Sequence, residues 1–147
     1  MSDNPALRIA VYGAGALTYS FTAKRLFQKL GERGLAIAGG SLMAVCYALL
    51  ALAPNVAFAL PAIAFMGLGF YMLHNTLQTE ATQLAPEARG LSVSLFAIVL
   101  FTGQAVGVAL AGWVLDRWGG TPVFLAAAGG MLVIVLWFRL QLVRRNG

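Results

Sequence analysis

Gly67, Tyr71, His74 and Gln78 recur at i, i+4, i+7 and i+11. On an α-helix this spacing puts them along one face, and Asn75 lies beside His74. A phenol, an imidazole and two amides in one apolar stretch can hydrogen-bond a solute, relay a proton or bond a neighbouring helix. Both kinds of reading stay open: a substrate-lining face, or interhelical hydrogen bonds worth about 1 kcal/mol each. His74 is the single histidine. It has no acidic partner in the stretch, since Glu80 follows about a turn and a half later. Two further polar side chains interrupt apolar runs. Gln104 stands between Gly103 and Gly107, and Tyr12 between Ala10 and Gly13. Each can contact a substrate or pack against a neighbouring helix.

These residues do not compose an enzyme site. The one histidine and the one cysteine, Cys46, sit in different apolar runs. No acids pair on a helix face, and no His/Cys/Asp cluster has metal-ligand spacing. No glycine loop follows a strand. The expectation is therefore no catalytic residue, no metal and no cofactor.

The elements that position the polar residues must be apolar helices. Of the 147 residues, 60% are hydrophobic and 10% charged, and the mean hydropathy is +0.81. A soluble domain carries about 25% charged residues, so too little polar surface remains to face water. A crossing needs about 20 apolar residues. Five candidate spans meet or approach that length: 6–22, 35–53, 56–79, 91–115 and 122–138. The chain reads as one transmembrane region over 1–147, an all-α, polytopic helical bundle in the lipid bilayer. Gly103 and Gly107 have the small-residue spacing of a close helix crossing.

The connectors carry a topology signal. Thr22–Gly34 reads TAKRLFQKLGERG, Pro54-Asn55 is a tight turn, and EATQLAPEARG follows the third span. With five spans, Lys24, Arg25, Lys29, Arg33, Arg89, Arg139, Arg144 and Arg145 fall on one side and only Arg8 and Arg117 on the other. Eight basic residues against two make the first side cytoplasmic, including the C-terminus. Trp113, Trp118 and Trp137 fall near span ends, where indoles favour the interface. The net charge of +5 is absorbed by this bias, and no basic stripe interleaved with aromatics suggests nucleic acid. An odd number of spans, a weak first span and a short outer tail lead to the expectation that upstream helices are missing.

Three stretches resemble the C-terminal half of a major facilitator superfamily (MFS) transporter. In KRLFQKLGERG, residues Leu26, Lys29, Gly31 and Arg33 fit the loop motif G-x-L-x-D-R-x-G-R-R. Lys24, Gln28 and Glu32 depart from it. In APEARG, residues Pro86, Arg89 and Gly90 resemble the P-x-x-R-G loop. The glycine-rich run Gly103–Phe124 resembles the fifth helix of a half and its exit. In that register the spans resemble helices eight to twelve of the twelve-helix fold. The resemblance implies secondary transport in the inner membrane, with export of a small organic solute or drug by proton antiport. It also implies a missing N-terminal half as partner and inactivity of this chain alone. The alternative is a small helical membrane subunit that packs against a partner without a transport cycle. A small homodimeric multidrug transporter is disfavoured because the first span has no acid.

Overall fold

The computed structural model describes residues 5–53 and 55–146. The elements are α1 (Pro5–Leu52), α2 (Val56–Leu84), a 3-10 turn (Pro86–Ala88), α3 (Arg89–Trp118) and α4 (Gly120–Asn146). Among the described residues there is no strand. The four helices are each long and apolar enough to cross a membrane, and the protein is an all-α membrane bundle.

At 48 residues, α1 would extend about 72 Å if straight, more than twice the ~30 Å hydrocarbon core. It is not straight. Gly31 interrupts it at φ 65°, ψ 175°, a left-handed conformation that costs a side-chain-bearing residue about 1–2 kcal/mol. The two arms, 5–30 and 32–52, fold back against the same level of α2. Gly15 in the first arm faces Ala64 and Leu68, and Gly39 in the second faces Gly69 and Leu73. Residues 6–22 and 35–53 therefore lie on antiparallel arms, and 56–79, 91–115 and 122–138 lie on α2, α3 and α4.

The basic stretch 22–34, expected as a connector, is helical on both sides of Gly31. Hydropathy marks where a helix leaves the hydrocarbon and not where its backbone hydrogen bonding stops. Leu, Lys, Gln, Arg and Glu are good helix formers, so both arms continue into the headgroup zone until glycine permits the reversal. The α2–α3 connector is likewise short. Ala88 N–H donates to the Ala85 carbonyl at 3.0 Å, and Pro86 opens the turn. Gly119 separates α3 from α4, its N–H donating to Leu115 at 3.0 Å. Pro54 lies outside the described residues.

The buried core joins the second arm of α1, α2 and α4. It contains Leu35, Ala36, Met43, Ala44, Cys46, Ala62, Met72 and Val135. The backbones of the second arm and α2 touch: a Cβ added to Gly39 would sit 2.7 Å from the Gly69 carbonyl oxygen and 2.9 Å from the Leu73 nitrogen. Such approach needs glycine on both sides. By contrast, α3 has no buried residue. Two recesses define the ends of the bundle. Ile37, Leu77 and Phe138 meet near one end, which groups the Gly31 bend, the α2–α3 connector and the far part of α4. Arg8, Ala53, Asn55 and Phe124 line a recess at the other.

Candidate functional site

The polar stripe of α2 forms one wall of an aromatic cluster. Gly67 lies directly against the Tyr12 backbone, which brings the first arm of α1 close enough for its rings to reach α2. Tyr12 then stands 6.3 Å, centroid to centroid, from Phe70, and Tyr19 stands 6.5 Å from Tyr71. Phe70 meets Tyr71 edge-on at 5.5 Å and stacks on His74 at 5.3 Å. Phe96 closes the far side, reaching from α3 to within 5.7 Å of His74. Edge-to-face and offset contacts at these distances match the attraction between a ring's positive edge and negative face.

His74 is the chemically exposed point of this wall. Its ring contacts both Phe70 and Phe96, and its Nδ1 is buried without a hydrogen-bond partner among the described residues. Leaving such an atom unpaired costs about 1–3 kcal/mol. Tyr71, Asn75 and Gln78 are half-buried on the same length of helix. The Asn75 carbonyl accepts a bond from Thr79 Oγ1 at 2.8 Å. Thr76 is buried and returns its hydroxyl to the Met72 carbonyl at 2.7 Å, so it is consumed by the helix itself.

The structure gathers Tyr12, Tyr71 and His74 into one cluster, with Asn75 and Gln78 on the adjoining helix surface. It does not bring Gln104 to them. Gln104 lies in an exposed run, 101–110, on α3. Gly103 and Gly107 have nothing within 4 Å of an added Cβ, so no helix of this chain crosses closely there. Tyr19, Phe70 and Phe96 join the site although the polar pattern did not mark them. Phe70 was detectable as the i−4 neighbour of His74, whereas Tyr19 and Phe96 enter from other helices.

In the first loop motif, Gly31 supplies the reversal, Leu26 is half-buried, and Lys29 and Arg33 are exposed. In the second, Pro86 starts the 3-10 turn and Arg89 caps it, while Gly90 is exposed. At the opposite end, the Arg117 guanidinium lies 4.3 Å from the Trp113 ring centroid. Trp118 packs edge-on to Trp113 at 5.2 Å. No group of three or more His, Cys, Asp or Glu among the described residues is placed to hold a metal.

Four helices long and apolar enough to cross a bilayer define a multi-pass membrane protein. The chain belongs to the Major Facilitator Superfamily, whose family model matches residues 6–146. Uncharacterised MFS-type transporters of Burkholderia mallei (strain SAVP1) and Burkholderia pseudomallei (strain K96243) are each 34% identical to it over 146 residues. The matches cover 92% of this chain and 35% of each relative, so the chain spans about a third of the length of the curated relatives. No solved structure matches it significantly. The family is one of transporters and not of catalysts.

Proposed function

We propose that this chain supplies helices eight to twelve of a secondary transporter that exports a small organic solute by proton antiport. The basic end, with the Gly31 bend and the C-terminus, faces the cytoplasm, and the protein resides in the inner (plasma) membrane. The observation that carries the reading is His74: an imidazole stacked on Phe70 and tilted against Phe96, with a buried Nδ1 that no described residue satisfies. With Tyr71 and Gln78 it forms the solute-facing wall. Support for transport comes from the family and from relatives described as MFS-type transporters.

The exposed run of α3 supports the second part of the reading. Gly103, Gln104 and Gly107 form the contact for the remaining helices of the transporter, which would complete the N-terminal half. This chain alone provides one side of a midplane site that needs two rocking halves. It is therefore inactive by itself, and His74 binds solute while the main coupling groups lie in the other half.

The test is dye-driven proton movement in proteoliposomes. Ethidium is added to vesicles holding the complete transporter that contains these residues, and to vesicles holding this chain alone. The reading expects ethidium-dependent collapse of an imposed pH gradient with the complete protein, loss of it in His74→Ala, and none with the chain alone. Equal proton movement in wild type and His74→Ala contradicts the role of His74. Activity of the isolated chain contradicts the two-half requirement and favours a self-sufficient unit.

A further inference from the structure

A second cavity lies on a different face of α2, turned roughly 100° around the helix from the His74 stripe. It has a volume of about 230 Å³ and sits between the second arm of α1, α2 and α4. Ala36, Ile37, Gly40, Leu73, Leu77 and Val135 are among its walls, with Trp137 beside them. An apolar space of this size, equal to about eight waters by volume, does not hold water well. It opens on the side of Ile134 and Trp137, which are 52% and 60% exposed, so its contents can come from the surrounding lipid.

The mouth of the cavity is charged. Arg33 precedes Ile37 by one turn and Gly40 by two, which puts it on the cavity-facing side of the second arm. Arg139 follows Val135 by one turn on α4, and Glu80 follows Leu73 by two turns on α2. The second arm and α4 run antiparallel, since Ile37 shares a recess with Phe138 near one end and Ala53 shares one with Phe124 at the other. Arg33 and Arg139 therefore come level with each other, and both are exposed. Against Glu80 they leave one net positive charge at the mouth. Lys24, Arg25 and Lys29 extend the basic end beyond it.

We propose that this cavity is a binding site for an anionic phospholipid. One acyl chain occupies the apolar space, and the phosphate lies between Arg33 and Arg139. The charge at the mouth selects an anionic over a zwitterionic lipid, and the cavity anchors the chain beside Trp137.

Trp137 makes the site measurable. Trp113 and Trp118 lie at the opposite end, so the variant W113F/W118F retains one tryptophan, beside the cavity. It is reconstituted in phosphatidylcholine vesicles containing brominated phosphatidylglycerol or, separately, brominated phosphatidylcholine. Preferential quenching by phosphatidylglycerol is expected. It should fall about five-fold per arginine removed in R33Q and R139Q, the factor equivalent to the ~1 kcal/mol each cation contributes near an anionic surface. The variant K24Q/R25Q should keep the preference. Filling the cavity with Leu73→Phe should reduce quenching by either lipid. Equal quenching by both lipids overturns the proposal. So does a preference lost as fully in K24Q/R25Q as in R33Q/R139Q, which would make it a general surface-charge effect.

Discussion

The imidazole of His74 lies flat against the phenyl ring of Phe70, with centroids 5.3 Å apart and planes 9° from parallel. The two residues are one helical turn apart, so the stack is set by α2 alone, while Phe96 of α3 stands 5.7 Å from the imidazole at a 47° tilt. The ring is held by these two contacts, and its Nδ1 is left without a partner among the described residues. That combination separates what His74 does for stability from what it does for binding.

Replacing His74 by Phe keeps an aromatic ring against Phe70 and Phe96 and removes the unpaired nitrogen. The expected outcome is an unfolding free energy in detergent unchanged or raised by about 1 kcal/mol. Ethidium binding by the complete transporter should weaken. His74→Ala should lose both the stack and the binding. A destabilised His74→Phe, with binding intact, would mean that the nitrogen serves the fold.

Gly31 tests the reversal in α1. Nothing lies within 4 Å of a Cβ built there, so Gly31→Ala acts on backbone conformation alone. A loss of about 1–2 kcal/mol is expected, measured as a lower denaturant midpoint. Gly31→Asn should cost about as much, because at ψ 175° the backbone lies outside the αL well that asparagine tolerates. Equal stability of Gly31→Ala and wild type would show that the arms do not need this bend.

The glycines divide into two groups by what they touch. Gly39→Leu drives a side chain into the Gly69 and Leu73 backbone. It should destabilise the chain by about 3 kcal/mol or prevent folding. Gly103→Ala and Gly107→Ala add a Cβ with nothing within 4 Å among the described residues and should leave its melting unchanged or slightly raised. In the complete transporter both should reduce assembly or transport. Unimpaired transport with Gly103→Ala and Gly107→Ala would remove α3 from the interface between halves.

These contrasts show how far the sequence could be read. Membrane character was legible from 35–53 and 91–115 because lipid requires long apolar stretches. The α2 face was legible because Tyr71, His74 and Gln78 follow the helical period. Tyr19 and Phe96 were not, because their approach to α2 is set by packing between helices that lie far apart in the chain. Small-residue spacing pointed to Gly103 and Gly107, while the close contact within this chain uses Gly39 and Gly69. Spacing identifies a thin face but not the helix it meets. The length of the arms was hidden for a different reason: charged helix formers continue a helix after hydropathy has fallen.

The orientation can be measured directly. Cys46 is the single cysteine and is 2% exposed, so it should not react with a membrane-impermeant maleimide. Cysteines introduced by Gln28→Cys and Glu87→Cys should be labelled from the cytoplasmic side, and those from Asn55→Cys and Gly119→Cys from the outer side. The reverse pattern would invert the topology inferred from the basic end.

The central claim is that the His74 face of α2 borders the solute path. The most direct measurement is the rate at which His74→Cys, in a Cys46→Ala background of the complete transporter, reacts with a small water-soluble thiol reagent, with and without ethidium. The account predicts reaction at position 74, slowed several-fold by ethidium, and none at Met72→Cys in the buried core. Reactivity at 74 as low as at 72, or unaffected by ethidium, would contradict it and make the stripe a contact between helices.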